Sequence, residues 1–217
     1  MLCVEALSTQ AFSELHFSAQ AGSCTAITGP SGSGKTTLLN AIAGAVAYTG
    51  TIRFAGKALN GVPAWQRPCR YLNQRLYLFP WLTVAGNLGL AQYAAGLPRS
   101  KPAQMAMLDE MGIAHLAHCY PRQISGGEQQ RAALARAMVS HPRLLLLDEP
   151  FSSLDWEIRR HLWAVVNNLR QHDVTILLVT HEPREVAALA DRQWTFDKGR
   201  FAETQINREE GRFPVQL

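Results

Sequence analysis

Residues 29 to 37 read GPSGSGKTT, lying between the runs Thr25-Ala26-Ile27-Thr28 and Leu38-Leu39-Asn40-Ala41-Ile42. Gly29, Gly34, Lys35 and Thr36 stand at the fixed places of the phosphate-binding loop pattern G-x-x-x-x-G-K-[ST]. No other nine residues constrain the fold as much. In the loop Gly29, Pro30, Ser31, Gly32, Ser33 and Gly34 the glycines let the backbone N–H groups, which every member but Pro30 carries, curl around a phosphate, while the next helix aims its positive end at the same charge. The loop therefore demands a strand before it and a helix after it, here expected from Thr36 to Ala43 and stopped by Gly44. A glycine-rich turn that merely starts a helix is the alternative, and Lys-Thr in register between strand and helix speaks against it.

The rest of the chain extends that unit. Leu2 to Ala6, Leu15 to Ala19, Cys24 to Thr28 and Thr51 to Phe54 read as short strands. Leu144 to Leu147 and Thr175 to Val179 are uninterrupted apolar runs, the pattern of strands covered on both faces in a parallel sheet. Between them Asp155 to Leu169 carries Ile158, Leu162, Val165, Val166 and Leu169 at helical intervals, so strand, helix and strand alternate as in an α/β domain. The stretch Thr83 to Val139 has no convincing strand. Breaks at Gly96-Leu97-Pro98, Gly112 and Tyr120-Pro121 cut it into helix-sized pieces, one opened by Ser100-Lys101-Pro102. A helical subdomain inserted in an α/β core is expected.

Composition adds exclusions. No apolar run nears the roughly 20 residues of a membrane helix, and the opening MLCVEALSTQ lacks the features of a secretory signal. Cys3, Cys24, Cys69 and Cys119 form no C-x-x-C pair, which suggests idle thiols in a reducing cytoplasm. The net charge of +4 is spread along the 217 residues rather than gathered, so no nucleic-acid partner is expected.

Two further constellations bear on chemistry. LLLLDEP delivers Asp148 and Glu149 at the C-terminal end of a buried strand, the edge where open α/β sheets bind ligands. With Lys35 reaching the β- and γ-phosphates and the Thr36 hydroxyl on Mg²⁺, Asp148 is placed to hold the ion and Glu149 to orient and deprotonate water. Two acids after four leucines also suit a solubilising strand exit; the phosphate loop upstream favours the chemical role. In ISGGEQQR, Ser125 and Glu128 have capping-box spacing and start a helix through Ala132, Leu134, Ala135 and Met138. Capping leaves Gly126-Gly127 unexplained: they cost helix stability but bare backbone N–H groups suited to a phosphate.

These motifs together make the chain resemble the nucleotide-binding subunit of an ATP-binding cassette (ABC) transporter over nearly its whole length. ISGGEQQR resembles the family signature LSGGQ, Gln74 the Q-loop glutamine, Ser153-Leu154-Asp155 the D-loop and His181 the switch histidine. The resemblance implies a P-loop NTPase (RecA-like) α/β fold with a mostly parallel core sheet, an antiparallel β edge and an inserted helical subdomain. It implies one ABC ATPase domain over 1–217, with core at 1–82 and 140–217, the signature-bearing helices at 83–139, and a tail too short for a regulatory domain. ATP and Mg²⁺ are the implied cofactors. Glu149, His181, Gln74 and Lys35 are the implied catalytic residues, and Thr36, Gln74 and Asp148 the metal-binding ones. Nucleotide contacts are implied at Gly29 through Thr37, at Ser125, Gly126, Gly127 and Glu128 from a second copy, and at Asp155. Phe12 would either stack on adenine or serve as a strand-end core residue.

The family also implies partners. Two copies would sandwich ATP head to tail and drive separate membrane-spanning permease subunits from the cytoplasmic face of the inner membrane. YLFPWLTVAGNL after Gln74 resembles the LFPHLTV-type stretch of small-solute importers such as those for thiamine, molybdate and polyamines, which work with an extracytoplasmic solute-binding protein. The apolar part, Leu76 to Val84, would either receive the permease or form the core of the helical insert. Export, lipoprotein-release, cell-division and non-transport regulatory complexes are the alternatives.

Overall fold

The computed structural model describes residues 1–197 and 200–208. A first sheet is antiparallel and holds β1 (Leu2–Ser8), β2 (Leu15–Ala19), β4 (Thr49–Phe54) and β5 (Lys57–Ala58) in the order β2-β1-β4-β5. The second adds β3 (Cys24–Thr28), β6 (Cys69–Leu72), β7 (Leu144–Asp148), β8 (Thr175–Val179), β9 (Arg192–Asp197) and β10 (Arg200–Thr204), ordered β10-β9-β3-β8-β7-β6. Within it β9, β3, β8, β7 and β6 run parallel, and β10 closes one edge antiparallel to β9. The helices are α1 (Lys35–Ala43), α2 (Val84–Ala94), α3 (Lys101–Glu110), α4 (Gly126–Met138), α5 (Trp156–Arg170) and α6 (Pro183–Leu189).

Every residue of β7 and β8 is buried, because the sheet is covered on both sides. Side chains alternate between the faces. Leu145, Leu147, Ile176 and Leu178 pack with Leu134 and Met138 of α4 and Leu162 and Val166 of α5. Leu144, Leu146, Leu177 and Val179 pack instead with Leu38, Leu39 and Ile42 of α1 and with Leu2, Val4, Phe17 and Ile52 of the antiparallel sheet. α1, which carries the phosphate loop at its start, is thus wedged between the two sheets.

Several elements lie outside the sequence expectations. β6 is a short edge strand, CRYL, whose arginine masks its period. β9, RQWTFD, buries only Phe196 fully, so its polar residues read as loop. β1 runs two residues past Ala6: a bulge puts Ala6 at φ 48° and shifts the register between Val4 and Leu7. The partner strand meets the bulge with Gly50 at φ 93°, where a Cβ would lie 2.3 Å from the Ala6 carbonyl oxygen. Helix α1 starts at Lys35, one residue earlier than expected. The four cysteines are unpaired, and burial pushes the Cys24 thiol up to about 12, as suits an inert thiol.

The C-terminus of α1 is held by a residue that sequence spacing does not single out. Arg67, 4% exposed, donates to the carbonyls of Ala41 and Ile42 at 2.9 and 2.7 Å and to that of Val62 at 3.0 Å. Replacing it by leucine takes the donor from the Ile42 and Val62 carbonyls, while that of Ala41 keeps the Gly44 N–H, and is expected to lower stability by about 2–4 kcal/mol, read as a shifted urea midpoint.

Candidate functional site

The phosphate loop, the exits of β7 and β8 and the segment after β6 converge at the C-terminal edge of the parallel sheet. A cavity of about 260 Å³ there is lined by Ser31, Gly32, Gly34, Lys35, Thr36, Thr37, Gln74, Asp148 and Glu149, with Ala11 at its margin. The chain itself builds the loop's backbone geometry. Gly29 sits at φ 140°, and a Cβ on it would lie 2.6 Å from the Phe196 carbonyl oxygen, so only glycine lets the loop pack on β9. Helix α1 has no side-chain cap at Gly34, which leaves its first N–H groups facing the cavity for an anion.

Lys35 is nearly buried and donates its ammonium to the carbonyls of Gly29 and Pro30 at 2.8 and 2.7 Å. The Thr36 hydroxyl donates to Asp148 Oδ2 at 2.8 Å, and Tyr71 adds a second donor to that oxygen at 3.3 Å. Asn73 in turn donates to the Tyr71 hydroxyl at 3.2 Å. Asp148 Oδ1 is buried with no hydrogen-bond partner. Burial raises the Asp148 carboxyl above its ordinary value, against the hydrogen bonds from Thr36 and Tyr71 that favour its charged form. A buried carboxylate with one orphan oxygen beside a threonine hydroxyl is a donor set that fits a hard divalent cation. The Ser33 hydroxyl is also buried and unpartnered.

Glu149 has left-handed backbone, φ 50°, which costs a non-glycine residue about 1–3 kcal/mol and marks a turn held by its surroundings. Its N–H donates to the Val179 carbonyl at 2.9 Å, joining the β7 and β8 exits. Its carboxylate lies 3.2 Å from His181 Nδ1, whose side chain is two-thirds exposed. Behind the pair, a smaller cavity is lined by Ser152, Arg159, Thr180, Glu182 and Glu185. There burial pushes the Glu185 carboxyl up, opposed by the Thr180 hydrogen bond and by Arg159.

The signature stretch lies elsewhere. Ser125 caps α4, and Glu128 Oε2 accepts from the Ser125 N–H at 2.7 Å and hydroxyl at 2.8 Å, which holds the Glu128 carboxyl below its ordinary value. Ser125 and Gly126 are exposed, with Gly127 and Glu128 half-buried. None of the four lines the phosphate cavity of its own chain. Asp155 does not line it either: its carboxylate caps α5 through the Ile158 N–H at 3.0 Å. Phe12 is half-buried, with its ring 5.9 Å from that of Phe196 and its edge against Gly34.

The stretch after Gln74 divides by residue. Leu76 and Leu78 pack on the core, whereas Tyr77, Phe79 and Trp81 are exposed, Trp81 to 71%. One buried and one half-buried side chain hold this loop in shape. Asn87 of α2, fully buried, accepts from the Phe79 N–H and donates to the carbonyls of Phe79 and Thr83. Arg136 of α4 donates to the carbonyls of Leu76 and Tyr77. Sequence reasoning did not single out Tyr71, Asn73, Asn87, Gln130 or Arg136. Buried or half-buried polar side chains of this kind leave no local signal beyond a polar residue within an apolar run, as Asn87 is.

Among the described residues no helix is long and apolar enough to cross a membrane. A family model described as ABC transporter matches residues 12–152. The chain is 42% identical over 210 residues to an Fe(3+) ions import ATP-binding protein, FbpC 2, of Rhodococcus jostii, covering 93% of this chain and 59% of that one. It is 39% identical to an uncharacterized ABC transporter ATP-binding protein, YtlC, of Bacillus subtilis, over 87% of this chain and 73% of the other. The chain thus spans less than two thirds of the length of the iron-import relative. A solved structure, the ATP-binding cassette MJ0796 in a dimeric post-hydrolysis state bound to ADP and Pi, superposes with a TM-score of 0.84. That superposition covers 94% of this chain and 99% of the other at 23% identity, a likeness of fold.

Proposed function

The chain belongs to the ABC transporter family, and from that premise we propose that it binds and hydrolyses ATP to power a membrane importer of a small solute. The observation that carries the reading is the single cavity in which Lys35, Thr36, Asp148 and Glu149 meet at the sheet edge, with His181 on the far side of Glu149. In this reading the loop N–H groups and Lys35 bind the β- and γ-phosphates. Thr36 and Asp148, with Gln74 at the rim, would hold Mg²⁺, which when bound neutralises phosphate charge. Glu149 takes a proton from the attacking water as its oxygen bonds to the γ-phosphorus and the bridging P–O bond breaks, releasing ADP and phosphate. His181 donates to the γ-phosphate and steadies Glu149.

The exposed signature turn supports a second copy as the other half of the site. Its Ser125 and bare Gly126-Gly127 amides face away from the chain's own cavity, free to take the γ-phosphate held by another subunit. The membrane partners would be separate permease subunits, fed by a solute-binding protein, with this chain at the cytoplasmic face. Ferric ion is the cargo in the name of the Rhodococcus jostii relative. In this chain the solute would be chosen by the permease rather than by the cavity described. The test is reconstitution: purified protein should release inorganic phosphate from ATP without labelling a small acceptor, and cells lacking the chain should lose uptake of one solute. Phosphate transfer to an acceptor would sink the reading.

Tyr77, Phe79 and Trp81 supply the docking surface for the permease. Phe79 and Trp81 lie 5.8 Å apart on a loop fixed by Asn87 and Arg136, a rigid aromatic anchor of the kind that dominates interfaces. Trp81→Ala is expected to weaken association with the permease by roughly 30-fold or more, about 2 kcal/mol, while ATP affinity stays at the wild-type value. Co-purification and nucleotide titration of the same variant check both halves.

A further inference from the structure

The start of α4 and the turn that carries the catalytic base are joined by one side chain from the second turn of that helix. Gln130 is 4% exposed, and both ends of its amide are spent on backbone of the 149–153 turn. Its Nε2 donates to the Glu149 carbonyl at 3.1 Å, and its Oε1 accepts from the Ser153 N–H at 3.1 Å. The same two segments also touch at Gly127, where a Cβ would lie 3.3 Å from the Ser153 carbonyl oxygen and 3.4 Å from Leu154. Glu149 occupies left-handed backbone, so the direction of its carboxylate depends on how that turn is held.

We propose that Gln130 is a positioning residue that ties Glu149 of one ATP site to the signature turn of the same subunit, and so makes hydrolysis at one site answer to occupancy of the other. The inference rests on the reading that two copies sandwich ATP. In that arrangement Ser125 meets the nucleotide of the partner, while Glu149 serves the nucleotide of its own subunit. Ser125 and Gln130 lie at the start of one continuous helix, which moves as a body rather than bending within a turn and a half. A shift of Ser125 onto a γ-phosphate is therefore passed by Gln130 to the Glu149 carbonyl. No bond is made or broken at Gln130.

The test compares Gln130→Met, which keeps the volume and removes both hydrogen bonds, with Gln130→Glu, which keeps only the acceptor for Ser153. Phosphate release is measured against ATP concentration below the melting temperature of each variant. Both are expected to lose at least ~10-fold in kcat with KM within about two-fold of wild type, since a small misplacement of a reacting group costs rate rather than binding. The Hill coefficient should fall from above 1 in the wild type to about 1. In a Glu149→Gln background both should still form the ATP-bound dimer on gel filtration. Unchanged kcat and Hill coefficient in either folded variant overturn the proposal. A raised KM with kcat intact, or a wild type that hydrolyses without cooperativity, does the same. A wild type that releases no phosphate at all instead removes the ATPase reading, and it is seen before any variant is made.

Discussion

Glu149→Gln is expected to lower the rate of phosphate release by about 10²–10⁴-fold, the range that removal of a positioned general base produces. Nothing that holds this turn depends on the carboxylate charge. The Glu149 N–H bond to Val179 and the carbonyl bond from Gln130 are made by backbone atoms. The amide is close to isosteric and still accepts from His181, so the left-handed backbone and the neighbouring cavity stay as they are. ATP binding should survive, and a dimer that needs hydrolysis to open should accumulate with nucleotide in it. Phosphate release and gel filtration with ATP measure the two effects. Turnover at the wild-type rate would take Glu149 out of the base role and leave His181 as the remaining group at that side of the cavity.

Lys35→Ala should act on binding instead. Lys35 is the one cation lining the phosphate cavity among the described residues, and its ammonium is already aimed by two carbonyls at the mouth of the loop. Loss of a desolvated, charged hydrogen-bonding group costs about 2–5 kcal/mol, so the dissociation constant for ATP should rise by roughly 30-fold to several thousand-fold. The fold should be retained, because the two carbonyls freed by the change lie beside an open cavity where water reaches them. Arginine should not rescue, since its planar fork cannot enter where a compact ammonium sits between Gly29 and Pro30. Titration with a fluorescent nucleotide decides it: near-wild-type affinity in Lys35→Ala would mean that the loop N–H groups alone bind the phosphates.

The site was legible to different depths. Lys35, Thr36, Asp148 and Glu149 were readable because each motif is local: a strand end or a loop fixes where its side chains point. The signature stretch was readable as a motif and as a capping box at once, and the structure has Ser125 and Glu128 bonded as the box requires. Phe12 was left between two readings, and its place under Gly34 and against Phe196 follows from a contact with a strand 184 residues further along. Asp155 shows the same limit, since spacing places it in a motif but not whether its carboxylate faces a ligand or caps α5.

What the sequence determined by itself was the set of elements whose signals are local or periodic. These are the phosphate loop between strand and helix, the fully buried runs of β7 and β8, and the capped starts of α3 and α4. Polar residues at strand positions hid β6, an edge strand that needs to bury little, and β9, which buries only Phe196 fully although β10 and β3 flank it. The tertiary structure alone decided which distant groups meet: the Tyr71 hydroxyl on Asp148, His181 on Glu149, Gln130 across the turn of the base, and Asn87 and Arg136 beneath the aromatic loop. All but the two-thirds exposed His181 are buried or half-buried polar side chains matched to a backbone or carboxylate partner outside their own element. Such pairing is fixed by the cost of leaving the group unsatisfied in the folded interior, which no stretch of neighbouring residues can express.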